Sequence, residues 1–122
     1  VDRIGHGIAA RQDPAVMALL AERQIPIELC PLSNVATGSI AAIGDHPVRE
    51  FWQAGLMLTV NTDDPGMFHN SMVAEFMALH DVFGFDREQI RTLILNGIEA
   101  SWQAADRKAA LRQSFLDDPA WQ

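Results

Sequence analysis

Leu56-Met57-Leu58-Thr59-Val60 is a run of five residues with a single hydroxyl group, closed on both sides by polar or turn-forming residues. A strand this apolar has to be covered on both faces, the condition met by parallel strands in α/β folds. Two further short strands are expected at residues 2–5 and 25–30. Their starts lie about 23 and 31 residues apart along the chain, the length of successive βα units. Helix signals fill the intervals. Asp13-Pro14 supplies an N-cap followed by a proline at the first helical position, and Val16, Met17, Leu19 and Leu20 recur at helical spacing up to about Gln24. Asp45-His46-Pro47 opens a second helix carrying Val48, Phe51 and Trp52, with Gly55 placed to close it. Residues 31–45, with Ser33, Asn34, Thr37, Gly38, Ser39 and Gly44, read as a loop. After a polar loop at 61–66, three helices are expected at about 71–83, 87–101 and 104–116. Asp86 and Gln89 form a capping box for the middle one. Residues 117–122, with Asp117-Asp118-Pro119, are expected to fray.

The resulting order, β-α-β-loop-α-β-ααα, implies an α/β fold: a parallel sheet with right-handed crossovers. Two architectures satisfy it, an open doubly wound sheet and part of a (β/α) barrel. A barrel needs about 250 residues, so a chain of 122 would hold only part of one. The opening at Val1-Asp2-Arg3-Ile4, without an initiator Met, fits a segment that begins in mid-fold. Sixteen acidic against nine basic residues give a net charge of −7, which argues against nucleic-acid or anionic-membrane partners drawn by a basic surface. No stretch approaches the ~20 apolar residues of a membrane span. Without a signal peptide, and with Cys30 as the one cysteine, the cytoplasm is the expected compartment.

Each strand runs into an unusual polar group: Gly5-His6-Gly7, Cys30-Pro31-Leu32-Ser33-Asn34, and Asn61-Thr62-Asp63-Asp64-Pro65. In parallel α/β folds the strand C-termini share one side, where active sites are built, so the three clusters are expected to converge. His6, between two glycines, can serve as a metal ligand, a general base or an electrostatic partner for a reacting oxygen; the plain alternative is a surface histidine in a turn. Adjacent carboxylates after a buried strand are costly unless paired, hydrogen-bonded or metal-bound, although an aspartate before Pro65 is also an ordinary N-cap. Ser33 and Asn34 can orient neighbours by hydrogen bonds or merely stabilise a turn. Cys30 is expected to be a buried, inert thiol, and His46 a helix cap. His69 and His80 have no partner at metal-ligand spacing, and His80 is expected to be structural or exposed. Phe51, Trp52, Trp102 and the methionines are expected to pack in the core.

Taken together, Arg3-Ile4-Gly5-His6-Gly7, Glu28-Leu29-Cys30-Pro31-Leu32-Ser33-Asn34 and Val60-Asn61-Thr62-Asp63-Asp64-Pro65 resemble, in order and separation, the C-terminal motifs of the adenosine/adenine deaminase family. The likeness covers nearly the whole chain. It implies a zinc-dependent (β/α)8 barrel that hydrolyses the 6-amino group of purines, with residues 1–122 holding the C-terminal part of one barrel domain, about strands six to eight with their helices. It further implies that His6 is the catalytic histidine that positions and polarises the attacking hydroxide. Asp63 is similar to the aspartate metal ligand, and Asp64 to the aspartate that hydrogen-bonds the purine ring. The implied cofactor is one Zn2+ and the implied partner a purine nucleoside or base. Thr37-Gly38 after Ser33-Asn34 looks more like adenosine deaminases, with adenine or a larger aminated nucleoside as alternatives. The family's His-x-His pair, and its third metal histidine followed three residues later by a glutamate, do not occur in this chain. They are expected upstream, and the chain alone is expected to be inactive. Two readings of other kinds stand beside this one: a non-catalytic, truncated α/β module, and another metal-dependent hydrolase that uses the aspartate pair differently.

Overall fold

A computed structural model describes residues 1–122. Three short strands, β1 (Ile4–Gly5), β2 (Ile27–Leu29) and β3 (Leu58–Val60), form one parallel sheet in the order β1-β2-β3. The register sets Ile4 beside Ile27 and Leu58, and Leu29 beside Val60. Because successive strand residues alternate faces, these apolar residues share one face. Gly5, Glu28 and Thr59, also in register, share the other. All three residues of β3 are buried, as its unbroken apolar run requires.

Helices cover the apolar face. In α1 (Pro14–Arg23), Asp13 accepts hydrogen bonds from the Ala15 and Val16 amides, and Pro14 occupies the first helical position. The chain then passes through α2 (Pro31–Ala36) and α3 (Val48–Gln53) to β3, and on through α4 (Pro65–Phe68), α5 (Met72–Phe83), α6 (Arg87–Ala100) and α7 (Ala105–Leu116). The capping box of Asp86 and Gln89 is formed in both directions. Asn96 on α6 donates to the Leu58 carbonyl at 2.9 Å, tying that helix to β3. One core cluster unites Leu20, Ile27, Leu29, Val48, Phe51 and Leu58 with Leu79 of α5, Leu93 of α6 and Phe85 from the connection between those helices.

Four expectations need correction. The segment after Cys30 is not wholly a loop: Pro31 starts α2, and Ser33 and Asn34 are buried within it. Their polar groups bond to distant side chains instead of closing local turns. The strands are shorter than the apolar runs that signalled them. Trp102 is 76% exposed, lying past α6 with the Arg3 guanidinium 4.0 Å from its ring centroid; Met67, Met72 and Met77 are exposed as well. The tail expected to fray carries a 3-10 turn at Pro119–Trp121, and Trp121 packs on Phe115 with ring centroids 4.9 Å apart.

Immediately after β1 the backbone turns left-handed twice in succession, at His6 (φ 57°) and Gly7 (φ 62°). A Cβ on Gly7 would sit 2.9 Å from Ile27 Cγ2. Gly7→Ala therefore combines backbone strain with overpacking and is expected to destabilise the fold by about 2–4 kcal/mol. Gly38→Ala, at φ 76° but with nothing within 4 Å, is expected to cost about 1 kcal/mol from backbone strain alone. Urea unfolding of both variants separates the two contributions; equal losses would show that contact with Ile27 is unimportant.

Candidate active site

The three polar clusters converge at the C-terminal ends of the strands. Gly5, His6, Glu28, Cys30, Asn61, Thr62, Asp63 and Met72 line a cleft of ≈ 420 Å³. His6 Nε2 lies 3.6 Å from Asp63 Oδ2. One donor atom from each of His6, Cys30 and Asp63 falls within 4.8 Å of the others. Both His6 and Asp63 hold left-handed backbones, φ 57° and 60°, a conformation costing about 1–2 kcal/mol for a residue with a Cβ. The larger cleft, ≈ 450 Å³ between α6 and α7, includes none of these residues.

Helix α2 does the orienting. Ser33 Oγ donates to Asp63 Oδ2 at 2.7 Å, and the next residue, Asn34, places its amide nitrogen 3.1 Å from His6 Nδ1. Consecutive residues of one helical turn thus reach the carboxylate after β3 and the imidazole after β1. Of the two readings open for Ser33 and Asn34, orientation is the one found.

The aspartate pair splits. Asp63 faces the cleft, whereas Asp64 caps α4 by accepting from the Met67 amide through Oδ1 at 2.8 Å. The capping reading therefore holds for one oxygen of Asp64, leaving Oδ2 outside that bond. Cys30 Sγ points to the Glu28 carbonyl at 3.6 Å. Burial first, then the charges of Asp63, Glu75 and Glu28, pushes its thiol up to about 12, so at neutral pH it is neither a nucleophile nor a thiolate. Arg3 pairs with Glu28 at 3.0 Å on the cleft side of the sheet.

Two residues were passed over. His46 does cap α3, its Nδ1 accepting from the Val48 amide at 3.2 Å, but its Nε2 also meets Asn34 Oδ1 at 3.2 Å. Glu75, fully buried on α5, accepts from the Leu32 amide at 3.1 Å and from Asn70 at 2.6 Å, while Asn70 also donates to the Thr62 carbonyl. It joins the start of α2 to the loop after β3, and burial raises its carboxyl above the ordinary value against the pull of those bonds. A carboxylate four residues before Leu79, in the stripe that faces the core, was the available signal. His80 is structural, with Nδ1 2.9 Å from the Phe85 carbonyl. His69 follows α4 in a left-handed conformation.

The donor set suits zinc on the side this chain supplies. Asp63 offers a carboxylate pinned by a hydroxyl, the outer hydrogen bond that ligating carboxylates take, at the wall of a polar cleft.

In sequence the chain is 43% identical over 110 residues to the aminodeoxyfutalosine deaminase of Streptomyces coelicolor, covering 90% of this chain and 28% of that protein. It is 42% identical over 112 residues to an adenosine deaminase of Escherichia coli, covering 92% and 34%. The chain thus spans about a third of the length of the curated relatives it matches. In structure it superposes on an adenine deaminase from Arthrobacter aurescens with a TM-score of 0.88 and 37% identity, covering 93% of this chain and 35% of that one. An amidohydrolase from Burkholderia ambifaria with bound zinc gives 0.83 and 30%, covering 94% and 32%. The βα units described above are the C-terminal part of a (β/α)8 barrel. A family model described as adenosine deaminase matches residues 1–118, and the chain belongs to that family.

Proposed function

We propose that the full-length protein carrying this chain is a zinc-dependent aminohydrolase that replaces the 6-amino group of an adenosine-type purine with oxygen, releasing ammonia. The observation that carries the reading is the joint orientation of Asp63 and His6 by Ser33 and Asn34 at one end of the sheet. The zinc-bound amidohydrolase among the structural neighbours supports the choice of metal.

Asp63 would hold the metal, with further ligands supplied from outside this chain. Zinc, when bound, contributes Lewis acidity that makes water a nucleophile near neutral pH. His6, beside Asp63, holds a proton toward the oxygen that attacks and offsets the negative charge that develops there. Asp64, through the oxygen that does not cap α4, hydrogen-bonds the purine ring and fixes the face presented to the cleft. Water adds at the ring carbon bearing the amine, one of its protons ends on the adjacent ring nitrogen and the other on the departing amine, the carbon–nitrogen bond breaks, and ammonia leaves. The lone thiol of Cys30, held neutral, suits the reducing cytoplasm, the compartment we propose.

Identities of 43% and 42% do not rank the substrates of those two relatives. Thr37-Gly38 after Ser33-Asn34 favours adenosine through the resemblance described above. Ammonia release by the full-length protein from adenosine, adenine and aminodeoxyfutalosine decides the matter. Adenosine is expected to give the highest kcat/KM, and the 122-residue chain alone is expected to release none. Preference for another of the three would keep the reaction and change the substrate. No ammonia from any of them, with zinc bound, would overturn the proposal.

A further inference from the structure

An ordered chain of hydrogen bonds leads away from the cleft through Asn34 and His46. The Val48 amide lies 3.2 Å from His46 Nδ1, His46 Nε2 lies 3.2 Å from Asn34 Oδ1, and Asn34 Nδ2 lies 3.1 Å from His6 Nδ1. His6 Nε2 then faces Asp63 Oδ2 at 3.6 Å. The directions of these bonds are fixed from one end, because a backbone amide can only donate.

His46 Nδ1 must therefore accept, and the ring proton sits on Nε2. The ring is 3% exposed, and burial, with the charges of Arg11 and His6, lowers its pKa to about 4, so no second proton competes for Nδ1. His46 Nε2–H donates to Asn34, which settles the orientation of that amide: its oxygen faces His46 and its nitrogen faces His6. A flipped amide would set two donors against each other and leave both unsatisfied in a buried position. Asn34 Nδ2 then donates to His6 Nδ1, so that nitrogen must accept. The proton of neutral His6 is left on Nε2, the nitrogen that faces Asp63.

We propose that Asn34 and His46 are positioning residues that lock His6 as its Nε2–H tautomer, with the Val48 amide as the anchor of the chain. Of the roles open to His6, this selects one. Nδ1 is occupied by Asn34 and Nε2 carries hydrogen, so neither nitrogen offers a lone pair to a metal. His6 acts as a hydrogen-bond donor aimed at the site. The catalytic consequence rests on the function proposed above; the tautomer does not.

Two-bond 1H–15N correlation spectra of the full-length protein labelled with 15N-histidine read the tautomer directly, with His6 identified by the signal lost in His6→Ala. The wild-type protein, without substrate, is expected to show the Nε2–H pattern for both His6 and His46. In Asn34→Asp the new carboxylate accepts from either ring, so the His6 proton is expected to move to Nδ1 while His46 stays unchanged. The same variant is expected to lose about 10–100-fold in kcat, with KM and zinc content kept, as for loss of an outer hydrogen-bond partner. His46→Ala is expected to leave His6 as a tautomer mixture, and His46→Gln, which restores an N–H at that place, to recover part of the Nε2–H signal. An Nδ1–H pattern for His6 in the wild-type protein would overturn the proposal without any variant. So would a His6 tautomer that ignores Asn34→Asp. Because the spectra need no turnover, an absence of ammonia release alongside the expected tautomer would discard the deaminase reading alone.

Discussion

Asp63→Ala in the full-length protein is expected to abolish tight zinc binding and, with it, turnover. The carboxylate stands at the cleft wall with Ser33 Oγ 2.7 Å from its Oδ2, and no neighbouring group in this chain can replace it. Cys30 Sγ lies close enough to reach a shared ion, but its thiol is held protonated up to about 12 and binding there would require removing that proton. Removal of an outer partner such as Ser33 is expected to lower zinc affinity by about 10–100-fold, and removal of Asp63 itself by more. Metal analysis after dialysis against a weak chelator, with Ser33→Ala measured alongside, gives the comparison. Normal occupancy in Asp63→Ala would exclude Asp63 as a ligand. A smaller loss in Asp63→Ala than in Ser33→Ala would assign the serine a role of its own.

His6→Ala should behave differently. Turnover is expected to fall about 10²–10³-fold, as for loss of one preorganised donor to a developing oxyanion, while zinc stays bound. The left-handed backbone at residue 6 adds no stability change of its own. Both alanine and histidine carry a Cβ, so the strain persists and the variant is not relieved by the change. Single-turnover rates and metal content measured on one preparation separate the two aspartate and histidine phenotypes. Near-normal turnover would remove His6 from the machinery, and loss of zinc would make it a ligand.

What could be read from the sequence follows from how locally each signal is generated. The three strands announced themselves by apolar runs and by the polar groups that end them, and the convergence of His6 and Asp63 follows from parallel topology alone. Pro14, Asp86 and Gln89 act through neighbours three or four residues away, so their helix starts were legible. Ser33 and Asn34 misled because they are common turn residues. Here their side chains are spent on Asp63 and His6, 30 and 28 residues distant, and the backbone between them is free to be helical. His46 and Glu75 were illegible as functional parts for the same reason. A histidine before a proline looks like a cap, and one carboxylate in an apolar helix looks like noise, until the partners across the fold are in place. Asp64 was legible only as an ambiguity, and the capping half of it is now visible.

The left-handed backbones at His6 and Asp63 set stability and activity in opposition at two points. Glycine relieves such strain at no steric cost, so a library sorted only for thermal resistance would enrich glycine at positions 6 and 63 and discard the chemistry in doing so. Stabilising this protein for practical use therefore calls for holding those two positions constant and seeking gains elsewhere.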